Sequence, residues 1–544
     1  MKGILIVALA SVALIHLPMV HSQQIWGRQV EIVLLPQGEN LITDTLQHAI
    51  NYCASKGGGL VRLVNGTYRA GTIILKSNVT LYLEKGAILQ GSAHYSDYDS
   101  TRDAFLFARG EHNIAIEGEG VIDGVNCYNP DGEEGFRGPH LLKLIKCSGI
   151  KIHGISIVNA ANYAIYCREC SYGIINKIQI RGGHDGLHTR FCDSFKVTSC
   201  DIRTGDDAFA GNDNRNFLIS DCKINSSCNG FRIGCYNFIV RRCSIWGPGE
   251  YMHKIQRRNN MLSAFVHFSP SDENPRLISG NWRIEDVTIK NVDNVYVYNF
   301  RDGLWQTGRP VTNIIFDNLK ATDIGKVFTI VGDTNRLFNM EVRHSEFSFR
   351  ECSQDIVRVF EGAEILSPAI VNLANFNKIV FKEVTFRKEG DFPFFIAENG
   401  NVIILKETQF FPDCKPNDCV LTNIKRFKAP MRILKMCQLP QGPLPLRFSG
   451  ICPDAFAQGK PTAHQFAFAP DAQSGLNPHC AEKVRNVPCG SLSLRFSGIC
   501  PDAFAQGKPT AHQFAFAPDA QSGLTLRLGR IERNPVTSGG INLT

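Results

Sequence analysis

No stretch after the first twenty residues of this 544-residue chain is long and apolar enough to suggest a membrane span. Basic residues outnumber acidic ones by only +7 and are scattered rather than clustered, and no helix-turn-helix or RNA-binding signature is present, so nucleic acid is not the expected partner. Zinc-finger spacing is missing too. Cys167 and Cys170 form a C-x-x-C with no second pair in reach. What the chain does have is a lysine followed by a short apolar run from Gly3 to Leu17. A small-residue stretch, Val20-His21-Ser22, comes next, the pattern of a secretory signal over residues 1–22. Nineteen cysteines and glycosylation sequons at Asn65, Asn78, Asn225 and Asn542 fit an exported protein. Cys414 and Cys419 flank a turn that a disulfide could close.

The centre of the chain repeats. Ile157, Ile180, Ile202, Ile224 and Ile245 follow one another at intervals of 23, 22, 22 and 21 residues. A period in this range means stacked coils, each burying its apolar face against the next. The segments Ile178-Gln179-Ile180, Cys200-Asp201-Ile202, Cys222-Lys223-Ile224 and Cys243-Ser244-Ile245 alternate in the manner of strands. Cys200, Cys222 and Cys243 share one phase of the repeat and are expected to fill the core. Upstream, Thr43-Asp44-Thr45 is placed to cap a short helix through Leu46, Ala49, Ile50 and Cys53, ended by Gly57-Gly58-Gly59. Such a helix would seal the open end of the solenoid. The expected organisation is a solenoid over residues 23–427 and a tail over 428–544. Within that tail residues 446–476 recur unchanged as 494–524, in a composition that does not favour a packed core.

Five residues beyond the isoleucines stand Asp185, Asp207 and Asn229. In a parallel coil, residues at one phase stack about 4.8 Å apart. Asp185 therefore lies over Asp207, with Asp206 beside it. Asp-Gly steps are common in plain turns. Three converging carboxylates, however, repel one another and raise at least one pKa, which is what a general acid needs.

Asp185-Gly186-Leu187-His188-Thr189 and Thr204-Gly205-Asp206-Asp207-Ala208 resemble the polygalacturonase family, glycoside hydrolase family 28, as do Gly57–Val61, Asn65–Tyr68, Ile74–Leu81 and Gly86-Ala87. The resemblance runs over about residues 36–425. It implies a right-handed parallel β-helix and inverting hydrolysis of α-glycosidic bonds in pectin, with no cofactor or metal. By the same resemblance Asp206 is the general acid, and Asp185 with Asp207 orients and deprotonates the attacking water. The chain departs from the family at three places. Gly183-His184 replaces Asn-Thr ahead of Asp185, Asn229 stands where the family has a histidine, and Leu262-Ser263-Ala264 replaces the Arg-Ile-Lys that grips the substrate carboxylate. Candidate substrate-binding residues are Asn229, Arg232, His184 and His188. His253, Lys254, Arg257 and Arg258 are alternative basic groups, and Tyr236, Trp246, Tyr251 and Trp305 are candidates for stacking on sugar rings. The expected partner is a wall polysaccharide met by a monomeric, extracellular protein. A calcium-dependent lyase and a glycan-binding protein without catalysis remain as alternatives.

Overall fold

The computed structural model describes residues 30–270, 274–300, 309–350, 369–415 and 417–434, with the isolated backbone segments Leu5–Ile6, Val357–Phe360, Ala363–Ile365, Phe448–Ser449, Phe516–Asp519 and Gly523–Leu526. Most of the signal segment, Trp305, Asn542 and almost all of the duplicated tail lie outside the described residues. Two compact units are present. The first comprises residues 1–127 and 139–467, the second residues 128–138 and 468–544. Of the second, the loop Tyr128–Gly138 carries a single 3-10 turn at Glu133–Gly135, and the strands Phe516–Asp519 and Gly523–Leu526 pair antiparallel.

Among the described residues of the first unit 35 strands are linked in one ladder, and every pairing within it is parallel. The isoleucine column follows the sequence period. Ile122, Ile157, Ile180, Ile202, Ile224, Ile245 and Ile289 pair directly from coil to coil. All of them are buried, so the fold is a parallel β-helix with its core inside the coil. Cys200, Cys222 and Cys243 are buried free thiols at one phase, as the alternation requires. Phe209, Phe231 and Phe265 form a second column, with ring centroids 4.6 and 5.0 Å apart.

The helix Thr43–Ser55 turns Leu46, Ala49, Ile50 and Cys53 into the end of this core. Its start differs from the sequence expectation. Ile42 occupies the N-cap without a side-chain cap, and Thr43 instead accepts the Gly71 N–H at 2.8 Å, tying the helix to the first coils. Two further expectations are corrected. Cys414 is a free thiol; the Lys415 N–H bonds to Asp418 at 2.8 Å and buried Lys388 pairs with Asp418 at 3.0 Å, so charge holds the turn that a disulfide was expected to close. Asn225 is 0 % exposed and donates to Trp246 and Pro248 carbonyls, which removes its sequon from reach of a glycosylating enzyme. Asn65 and Asn78 are exposed.

At one corner of the coil, asparagines stack and bond along the axis. Asn237 Nδ2 donates to Asn216 at 2.9 Å, and Asn281 Nδ2 to Asn237 at 3.1 Å. All three have φ between +52° and +58°, a region asparagine tolerates better than alanine. Asn237→Ala removes two ladder bonds and places a Cβ-bearing alanine in the left-handed region. A loss of about 1–3 kcal/mol is expected, read as a lower thermal midpoint with unchanged far-ultraviolet dichroism.

Candidate functional site

The three aspartates meet where the sequence period places them. Gly186 N–H bonds to the Asp207 carbonyl at 2.9 Å and Ala208 N–H to that of Asn229 at 2.9 Å, so Asp185, Asp207 and Asn229 stand on consecutive coils. One oxygen from each of Asp185, Asp206 and Asp207 lies within 4.8 Å of the others.

Their surroundings differ. Asp206 is the open member, its side chain 20 % exposed, whereas Asp207 is 1 % exposed. Asp207 N–H donates both to Asp185 Oδ1 at 3.2 Å and to Asp206 Oδ1 at 3.0 Å, so one backbone amide draws the two flanking carboxylates inward. Asn229 donates to Asp207 Oδ1 at 2.8 Å, and Arg232 Nη1 approaches Asp207 Oδ2 at 3.3 Å. Burial is the largest influence on Asp207 and pushes its carboxyl up to about 7. Arg232 and Asn229 pull it down, while Asp206 and Asp185 add to the rise.

Asp185 Oδ2 accepts from His188 Nδ1 at 2.8 Å, and the His188 ring is stacked on Tyr163 at 4.5 Å. His140 and Tyr166 complete this aromatic group. Tyr163, Tyr166 and His140 were not singled out from the sequence. Their signal is the register itself, because Tyr166 pairs with His188 on the next coil.

Of the proposed substrate-binding residues, Asn229 is 0 % exposed and backs Asp207, and His184, His188 and Arg232 are also buried. They therefore lie within or behind the trio. Arg232 is held between Asp207 and the face of Phe268, 3.7 Å from the ring centroid. Of the other basic groups, Arg258 bonds to the Ser227 carbonyl and approaches Cys228 Sγ at 3.6 Å, whereas Arg257 is exposed. Lys254 crosses above Gly183, where an added Cβ would meet its Cε at 2.3 Å. A side chain at position 183 would have to displace this lysine. Among the aromatic candidates, Trp246 lies beneath the Arg203 guanidinium at 5.7 Å, and Tyr251 contributes its carbonyl to Ser227. Tyr236 is exposed.

The loop that carries these groups was not legible as a separate part. Ile245 and Ile289 are paired neighbours although 44 residues apart, twice the usual coil, and residues 247–260 are part of the excess. A doubled interval in the isoleucine spacing is the signal that marks it.

Among the described residues, two clusters hold metal-ligating atoms close together, the aspartate trio and Asp206 with Cys228 and His253. A hard cation in the trio would face the Arg232 charge already paired with Asp207.

Residues 65–235 match the model of Glycosyl hydrolases family 28, a segment that contains all three aspartates. The matched segment is a distant homologue of that family. A Vitis vinifera protein described as "Probable polygalacturonase" is 25% identical to this chain over 202 residues, 32% of the chain and 41% of that relative. The match thus spans about two fifths of the relative's length. Among solved structures, an exopolygalacturonase from Thermotoga maritima is similar to it with 17% identity and a TM-score of 0.49, over 72% of this chain and 93% of the other. The Family 28 Exopolygalacturonase of Yersinia enterocolitica aligns with 17% identity and a TM-score of 0.46, over 70% and 76%.

Proposed function

We propose that this chain is a secreted, monomeric glycosidase that hydrolyses α-glycosidic bonds of a pectin-like polysaccharide with inversion, without metal or cofactor. The observation that carries it is the unequal burial of three carboxylates whose oxygens lie within 4.8 Å of one another. When all are ionised they exceed the single guanidinium beside them by two charges, so the trio retains a proton that an isolated carboxylate would lose. Asp206, the member open to solvent, passes a proton to the glycosidic oxygen as the C1–O bond breaks. Asp185 and Asp207 hold a water against C1; its oxygen bonds to the carbon and its proton goes to the member of the pair that is ionised. Export is supported by the apolar Gly3–Leu17 segment.

An acidic sugar is favoured by the outward column next to the trio. Lys143, Tyr166, His188, Ala210 and Arg232 succeed one another on adjacent coils, giving a line of cationic and aromatic groups. Lys254 adds a partly exposed ammonium over Gly183. Of these, Lys143 and Lys254 stand in for the absent Arg-Ile-Lys, because Arg232 is already paired with Asp207.

The test is reducing-end release from polygalacturonan, rhamnogalacturonan and neutral wall polymers in the presence of chelator. Proton NMR reads the anomer formed first. Ordinary inverting pairs stand about 6.5–9.5 Å apart and retaining pairs about 5–5.5 Å. The oxygens here lie within 4.8 Å, so stereochemistry is the deciding observable. Inversion is expected; a retained anomer would instead require a covalent glycosyl-aspartate. An unsaturated, ultraviolet-absorbing product lost on chelation would mean a lyase. Glycan binding without any product would mean that the trio is no longer catalytic.

A further inference from the structure

The loop Gly247–Asn260 is folded down onto the catalytic coil. A Cβ on Gly205 would lie 2.5 Å from the Met252 carbonyl and 2.6 Å from that of Gly183, so glycine is needed where loop and coil cross. The crossing delivers His253, only 2 % exposed, to the open aspartate, with Nε2 at 3.5 Å from Asp206 Oδ1. Its other ring nitrogen settles the tautomer. Nδ1 accepts the backbone N–H of Gln256 at 3.1 Å and of Ile255 at 3.3 Å. A nitrogen that accepts two N–H groups carries no proton, so the neutral ring bears its hydrogen on Nε2. The flipped ring would set a C–H against both amides. Protonating Nδ1 would break both bonds, so the ring is held neutral.

That tautomer decides between two roles. Asp206, Cys228 and His253 present donor atoms within 4.8 Å, a set that could in principle hold a soft divalent ion. A metal-bound imidazole offers one lone pair and donates from its other nitrogen. His253 does the reverse, accepting at Nδ1 and presenting N–H at Nε2. Arg258, at 3.6 Å from Cys228 Sγ, adds positive charge to the same place. Asn229, the coil residue at the phase of the family histidine, turns its amide to Asp207 instead.

We infer that His253 is the positioning residue of Asp206, a neutral imidazole brought in by a loop outside the regular coil, whose Nε2–H holds Oδ1 of the acid. With the Asp207 N–H at 3.0 Å on the same oxygen, it fixes the rotation of the Asp206 carboxyl. Hydrogen bonds of this kind are often long in the unliganded state and tighten when substrate binds. The inference rests on the reading of Asp206 as the acid. Among the described residues, the Asp206 carboxyl, the Cys228 thiol and the Arg258 guanidinium are the titratable and charged groups around His253, with Lys254 next to it in the chain.

The experiment compares His253→Ala and His253→Gln with the full chain, on whichever polymer is cleaved. His253→Gln keeps a side-chain N–H. His253→Ala is expected to lower kcat about 100-fold with KM changed less than about twofold. His253→Gln should recover at least about tenfold of that loss. An N–H aimed at a carboxylate favours its ionised form, so in His253→Ala the alkaline limb of the pH profile should move up. Equal activities of the two variants, a change in KM alone, or disappearance of a limb would overturn the inference. Ring nitrogen NMR of the unmodified chain gives a readout that needs no turnover. The Nε2–H tautomer should persist from about pH 5 to 8, and its signal should shift in Asp206→Asn. An Nδ1–H tautomer, an imidazolium in that range, or a ring signal displaced by added zinc would sink it. If no polymer is cleaved, the proposed function fails and the NMR result still decides the contact.

Discussion

Asp206→Asn is expected to lower turnover by about 10²- to 10⁴-fold, the usual contribution of a positioned general acid. The amide has nearly the shape of the carboxyl and Asp206 is partly exposed, so packing has little to lose. Asp206 is also one of the charges that raises Asp207, and its removal relieves repulsion. The melting temperature should therefore hold or rise slightly while activity disappears. Turnover and a thermal midpoint measured on the same preparation make the check. Activity within about threefold of the parent would take the acid role away from Asp206.

Arg232→Met is expected to destabilise the chain in a strongly pH-dependent manner. The folded-state pKa of Asp207, about 7, lies above its ordinary value of 3.8. Between those two values the unfolded chain has released the proton that the folded chain keeps, so stability falls as pH rises and levels off above about 7. Arg232 is the strongest group pulling that pKa down, so its loss moves the folded value higher. Methionine retains contact with Phe268 while removing the charge. Near pH 5 Asp207 is neutral in both proteins, and the difference should stay within about 1 kcal/mol. Above pH 7 the variant keeps losing about 1.4 kcal/mol per pH unit where the parent has levelled off. Parallel stability curves across about pH 5–9 would show that Arg232 is not the counter-charge of Asp207.

Much of this molecule was readable in one dimension because a solenoid converts sequence period into spatial adjacency. Ile180, Ile202 and Ile224 are 22 residues apart and therefore stacked, and the same arithmetic put Asp185 over Asp207. The helix core residues Leu46, Ala49, Ile50 and Cys53 followed from helical spacing, whereas the cap did not, because Thr43 had a tertiary partner in Gly71. Asn225 illustrates the same limit. Its sequon is a local pattern, yet the fate of its side chain depends on carbonyls more than twenty residues away.

Period, alternation and the Asp-Asp step were enough to give the coil, its interior column and the meeting of three carboxylates, since each needs only the constant rise of a strand and the fixed length of a coil. Exposure, charge and proton placement at the site were decided in three dimensions. Burial separates Asp207 from Asp206 although they are adjacent in the chain, and Arg232 becomes the partner of a buried carboxylate instead of a surface grip. His253 reaches Asp206 from 47 positions further along, carried by a loop that breaks the period and crosses above two glycines. A repeat predicts what lies within it, and the path of an excursion is fixed only by the surface on which it comes to rest.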